Sequence, residues 1–146
     1  MDILINKRLP FPELDSFLKN HSQIKPFSLI YEGVNDWGSV KNEPLIYQYQ
    51  EFNDDNQGEF CFGLSVHQEK TGLEQLFTEH TAAALSSAFG CAAVCSACRV
   101  VLFSPNVDYS LLFEDNKVFL VDDYLFEENG VFKKIVELKY SIPAIL

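Results

Sequence analysis

Three closely spaced cysteines are the residues whose types and spacing most directly suggest chemistry. Cys91, Cys95 and Cys98 are separated by three and by two residues, a spacing at which three thiolates can hold an iron–sulfur cluster. They could instead bind a structural zinc ion, with Cys61, His67 or His80 as the fourth ligand. A third interpretation is that the thiols fill tight core positions, since a free cysteine behaves as a small apolar residue.

The cysteine spacing resembles the cluster-binding loop of radical S-adenosylmethionine enzymes, which leaves one iron of a [4Fe–4S] cluster open. That family usually has an aromatic or bulky residue before the third cysteine, where this chain has Ala97. It also has a Gly-rich cofactor-binding segment downstream, which this sequence lacks. The sequence therefore favours a buried stretch of small residues, and it predicts no metal, no cofactor and no catalytic residue.

The net charge indicates which classes of partner the chain can bind. The chain carries a formal net charge of −10 at pH 7, so nucleic acid and anionic membranes are disfavoured and a basic protein partner is favoured. No secretory signal opens the sequence, which predicts a cytoplasmic location.

The stretch from Thr81 to Cys98 is uncharged and long enough to cross a bilayer. Because it is mostly Ala, Ser, Cys and Thr, a helix packed on a sheet is predicted instead.

Two helices are predicted around this stretch. One spans about residues 10–20, with Leu14, Phe17 and Leu18 on one face. A longer central helix spans about residues 71–90, where Thr71 and Glu74 have the spacing of a capping box. Gly90 is its predicted end.

Strands and tight turns account for most of the remaining chain. Alternating apolar residues, or short apolar runs, predict strands at 2–5, 27–31, 45–52, 60–67, 109–114, 117–122, 124–128 and 131–136. Asp115-Asn116 and Asn129-Gly130 are hairpin-turn signals, and Val100 to Phe103 favour a further strand. The predicted fold is a single α+β domain over residues 1–146, with an antiparallel sheet of about five to seven strands and the two helices packed on it.

The acidic residues are concentrated in two segments. Residues 32–60 and residues 108–130 each contain seven acids and one base. If the turns of these segments share one edge of the sheet, they form a single anionic surface. Trp37 could serve as an exposed anchor, because tryptophan is favoured at the centres of interfaces. The predicted partner-binding residues are Trp37, Asp54, Asp55, Glu114, Asp115, Asp122, Asp123, Glu127 and Glu128.

In size, acidity and α+β build, and in the hairpin sequence of residues 108–123, the chain resembles bacterial immunity proteins against polymorphic or contact-dependent toxins. That resemblance implies a cytoplasmic inhibitor, with no enzymatic turnover, that binds and neutralises a basic, nuclease-like toxin domain. The resemblance carries no diagnostic motif. Two alternatives remain open: a small metal-binding protein or enzyme that uses Cys91, Cys95 and Cys98, and an assembly subunit. The oligomeric state is not predicted.

Overall fold

The computed structural model of the protein describes residues 2–21, 28–31, 45–51, 60, 62–68, 71–97, 109–122 and 132–143. Within these ranges the chain forms two helices and eight strands. In chain order they are β1 (Asp2–Ile5), α1 (Phe11–His21), β2 (Ser28–Tyr31), β3 (Leu45–Glu51), β4 (Phe62–Gln68), α2 (Thr71–Phe89), β5 (Ala93–Ser96), β6 (Tyr109–Glu114), β7 (Lys117–Asp122) and β8 (Lys133–Leu138).

The described strands form one sheet in the order β2-β3-β4-β1-β5-β6-β7-β8. The seven strands from β3 to β8 in this order pair antiparallel throughout, which confirms the predicted α+β fold. At one edge β2 pairs with β3 in parallel. The sequence predicted the strand β2 but not its parallel pairing, because neither segment carries a local signal of strand direction.

Both helices pack on one face of the sheet. Ile3 of β1 and Leu64 of β4 pair in register and point into the main core, which also contains Leu14 of α1 and Leu85 of α2. An edge-to-face contact between the rings of Phe17 and Phe89, with centroids 5.5 Å apart, joins the two helices. Alternation along β3 and β4 sends every second side chain to this face, as the sequence predicted.

The long helix α2 ends at the predicted residue. Gly90 has a φ of +61°, the left-handed conformation that glycine adopts at little cost. The backbone N–H of Cys91 donates to the carbonyl oxygen of Ser86 at 3.2 Å, as in a Schellman motif. α2 therefore stops here, and the chain continues as β5 beneath the helix. The uncharged stretch 81–98 is divided between these two elements rather than forming one helix.

The β6–β7 hairpin matches its predicted boundaries. Its turn residues Asp115 and Asn116 have φ values of 53° and 60°, as a two-residue type I′ turn requires. The next strand, β8, begins two residues later than predicted and pairs with β7 through a register shift between Leu120 and Val121. The predicted strand 124–128, the Asn129-Gly130 turn and the segment 100–103 lie outside the described residues.

Candidate functional site

Two of the three motif cysteines are described, and both are buried in the main core. Cys91 follows the Gly90 turn, and its thiol donates to the carbonyl oxygen of Leu85 at 3.6 Å. Cys95 lies in β5, and its thiol donates to the carbonyl oxygen of Ser96 at 3.7 Å. Burial raises the pKa of the Cys91 thiol, which disfavours the thiolate that metal binding and nucleophilic attack need.

Among the described histidine, cysteine and acidic residues, no group of three lies close enough to hold a metal ion. Cys61 and Cys98, which the iron–sulfur and zinc hypotheses also use, lie outside the described residues. The two described thiols occupy positions typical of small core residues. Metal binding by Cys91 and Cys95 would break the hydrogen bonds of both thiols and disrupt their packing in the core.

Three of the predicted partner-binding acids are described: Glu114, Asp115 and Asp122. The others, namely Trp37, Asp54, Asp55, Asp123, Glu127 and Glu128, lie outside the described residues. Glu114 and Asp115 lie at the turn end of the β6–β7 hairpin, and Asp122 lies at the opposite end of β7. Since a strand rises about 3.4 Å per residue, the two ends are ~17 Å apart. The hairpin therefore does not bring these three acids together.

Lysines of β8 lie beside two of these acids. The ammonium group of Lys134 lies 2.9 Å from a carboxylate oxygen of Glu114 and 4.3 Å from the ring centroid of Phe119. Lys133 is the register partner of Asp122. Asp115 is exposed, and no ion pair involves it within the described ranges. The charge count of each sequence segment did not predict that lysines of β8 lie beside the acids of the β6–β7 hairpin.

A small polar cavity of about 230 Å³ lies next to Glu114 and Asp115. Its other walls come from Asn6 and from the end of α2, including Ser86, Ser87, Gly90 and Cys91. The side-chain oxygen of Asn6 accepts a hydrogen bond from the backbone N–H of Ala92 at 2.8 Å. Lys7 donates to the carbonyl oxygen of Phe89 at 3.0 Å, which places a cation at the negative end of the helix dipole.

A larger cavity of about 430 Å³ lies on the other side of Ser86, Ser87 and Asn116. One wall is formed by residues 139–143, named here the C-terminal strap, which crosses α2. The hydroxyl of Tyr140 donates to the carboxylate of Glu79, whose side chain is fully buried. A ring nitrogen of His80, Nε2, lies 2.6 Å from the carbonyl oxygen of Pro143.

The sequence did not predict this larger cavity. His80, Lys117 and Tyr140 all line it, but they come from three separated segments. No short motif joins them, and only the tertiary packing of the strap on α2 brings them together.

The other two histidines lie apart from this cavity. His21 ends α1, and its ring stacks on Phe17 with centroids 5.3 Å apart. Burial, and to a smaller extent the nearby His80, lowers the pKa of His21. Burial also lowers the pKa of His67, at the end of β4. Both imidazoles are therefore neutral at pH 7, and His21 adds no cation at the C-terminal end of α1.

Asp2 and Ser65 form a polar contact between β1 and β4. Close to His67, Ser65 donates a short hydrogen bond to the carboxylate of Asp2. This bond joins β1 to β4 on the face of the sheet opposite the helices. Ser65 donates to a carboxylate and not to an imidazole. The pair therefore differs from a hydrolytic triad, in which the serine donates to a histidine.

Neither described helix has the length and apolar content that crossing a membrane requires. Comparison of the chain with protein-family models, with curated proteins and with solved structures finds no match. A function for this protein therefore has to be argued from its own charges, hydrogen bonds and cavities.

Proposed function

We propose that the chain is an immunity-type inhibitor that binds a basic, nuclease-like toxin domain in the cytoplasm and neutralises it through acidic residues. Support comes first from the net charge of −10. Charge of this size accelerates and orients the encounter with a basic surface, and it repels nucleic acid. An inhibitor of this kind needs a stable surface rather than a catalytic centre.

The observation that carries the proposal is the position of Asp115. Its carboxylate is exposed at the tip of a hairpin whose turn conformation is fixed, and it lines the rim of the small polar cavity at the end of α2. Because the backbone of the turn is already ordered, pairing of this carboxylate with a lysine or arginine of a partner costs side-chain entropy only. Glu114 and Asp122 contribute less, because β8 places lysines next to them.

The proposal is tested by capture of the partner with the tagged full chain, followed by binding measurements on the purified pair. We expect a basic partner, bound in stoichiometric amount at about 0.1 M salt and released at about 1 M, where the screening length falls from ~10 Å to ~3 Å. The purified toxin domain should lose its activity when the chain is added. An acidic partner, or a bound toxin that stays active, would refute the inhibitor function.

Matched variants locate the binding surface. Asp115→Asn keeps the turn conformation, since asparagine tolerates a positive φ, and it removes one charge. We expect it to weaken binding and to reduce the salt dependence, whereas Glu13→Gln on α1 should leave both unchanged.

Combined reversal of Asp122, Asp123, Glu127 and Glu128 to Lys tests the remainder of the predicted surface. Unchanged binding by the reversed variant would remove these four residues from it.

A second candidate, an assembly subunit, is favoured by the edge strand β8. Ile135 and Val136 are 49% and 48% exposed, and they are the large exposed apolar side chains within the described ranges. Within the described part of the chain β8 is the last strand of the sheet, and a strand at an edge offers unpaired backbone groups to another chain. Light scattering over a range of protein concentrations tests this function: a dimer that Val136→Lys converts to a monomer would support it, and a monomer at all concentrations would exclude it.

A further inference from the structure

The larger cavity, between α2, the β6–β7 turn and the C-terminal strap, has the dimensions of a small-molecule site. Its volume of about 430 Å³ falls in the range of roughly 300–1,000 Å³ that is common for such sites. It is separate from the partner-binding acids, because Glu114 and Asp115 line the neighbouring smaller cavity instead. A ligand here would thus serve a function beyond the proposed inhibition.

One side of the cavity is apolar. Phe113 is buried in the main core, and Val118 and Ile142 pack against that core while remaining partly accessible. Together with Ala83 of α2 they line the space. An apolar group that entered it would be removed from water against these side chains, which favours binding.

Several polar groups around the cavity are already engaged within the protein. Nε2 of His80 must donate to Pro143, because a carbonyl oxygen only accepts. The Tyr140 hydroxyl donates to Glu79. The hydroxyl of Ser86 lies within hydrogen-bond distance of the carbonyl oxygens of Cys91, at 2.7 Å, and Phe113, at 2.9 Å. These contacts fix the walls and leave those groups little capacity to bind a ligand.

The remaining polar groups around the cavity can all donate a hydrogen bond. Within the described part of the chain, no hydrogen bond or ion pair is formed by the side chains of Ser87, Asn116, Lys117 or Ser141. All four residues line the cavity, and Lys117 carries a positive charge. The ammonium group of Lys117 can only donate, so it requires an acceptor, and an anionic acceptor gains most from it. The two hydroxyls and the amide can donate to the same acceptor.

We propose that this cavity binds a small organic acid, whose carboxylate pairs with Lys117 and Asn116 and whose apolar body packs against Phe113, Val118 and Ile142. The ligand enters from the solvent side, where Lys117 is exposed. Its binding joins α2, the hairpin turn and the C-terminal strap, three elements that are far apart in sequence.

The test uses three aromatic probes of one shape with the full-length chain: phenylacetate, phenylacetamide and phenethylamine. Binding is measured by saturation-transfer NMR and by titration calorimetry. We expect phenylacetate to bind in the millimolar range or tighter, phenylacetamide several-fold more weakly, and phenethylamine most weakly. Lys117→Gln should weaken phenylacetate binding roughly threefold to tenfold and leave phenylacetamide binding unchanged. Failure of phenylacetate to bind, or preference for the amine, would overturn the proposal.

A pair of alanine variants on α2 separates this cavity from other binding places. Ala83→Leu fills the cavity and should abolish phenylacetate binding, whereas Ala88→Leu adds the same bulk at an exposed position of the same helix and should not. Leucine favours helix nearly as well as alanine, so circular dichroism should show both variants folded. Equal phenylacetate binding by the two variants would place the ligand elsewhere and refute the assignment.

Discussion

The two faces of the sheet differ in how their apolar residues are covered. On the helix side, a large continuous core includes residues from α1, α2 and the strands β1, β3, β4, β5 and β6. On the opposite side, a smaller cluster forms around Val94, Leu112 and Val121, with Leu4 and Phe119 only partly buried. The difference indicates that the helix-covered face supplies most of the folding energy, and that the opposite face combines packing with surface charge.

Truncation of one leucine on each face of the sheet tests this comparison. It is the change from which we expect the largest effect on the free energy of unfolding. Leu64→Ala, on the helix side, should lower the free energy of unfolding by about 2–5 kcal/mol, because its neighbours are fully buried and cannot close the cavity. Leu112→Ala, on the opposite side, should cost less, since solvent can reach the partly buried neighbours. Urea denaturation measures both. Equal losses would show that the faces contribute alike.

The second largest effect on the free energy of unfolding is expected at the buried carboxylate of Glu79, on the helix side of the sheet. Tyr140→Phe removes the hydroxyl that donates to Glu79, so a fully buried acceptor loses one donor. We expect a loss of about 1–2 kcal/mol in the free energy of unfolding. Tyr109→Phe, on β6, is the control for the general effect of removing a tyrosine hydroxyl. A loss in the Tyr140 variant no larger than in the control would mean that this bond does not stabilise the strap.

The two histidines with lowered pKa lie on different sides of the sheet, His21 on α1 and His67 on β4. Each binds a proton more readily in the unfolded chain, where its pKa is near 6.5. Folding stability should therefore fall as pH drops below 6.5 and remain level above it. His21→Gln and His67→Gln should each reduce this pH dependence. Denaturation between pH 5 and 8 measures it, and a slope unchanged in both variants would contradict the assignment.

The smallest effect concerns the charged surface opposite the helices. Lys134→Ala removes the ion pair with Glu114 and the contact with Phe119. Because Lys134 is half exposed, we expect a loss of at most about 1 kcal/mol, reduced by added salt. Lys139→Ala serves as the control, because Lys139 is exposed and forms no ion pair within the described part of the chain. A loss of several kcal/mol would show that this face depends on charge rather than on packing.

Local patterns account for what the sequence predicted correctly. The β6–β7 hairpin follows from alternating apolar residues and from Asp115-Asn116, which tolerate the positive φ of a type I′ turn. The end of α2 follows from Gly90. In contrast, the parallel pairing of β2 with β3 depends on contacts between distant segments. The same holds for Lys134, which lies next to Glu114 only because β8 pairs with β7, and for the cavity beneath the C-terminal strap.

The position of β1 has a consequence for how the chain folds. β1 comes first in sequence among the described strands, yet it lies between β4 and β5 in the middle of the sheet. Its register partners in β4 are 57 to 63 residues away in sequence, and those in β5 are 88 to 90 residues away. During translation, β1 therefore stays unpaired until β4 has emerged, and its second edge stays open until β5 follows. Such late closure between distant segments is typical of slow, cooperative folding, and we expect refolding to proceed without a stable intermediate that contains β1 and β4 alone.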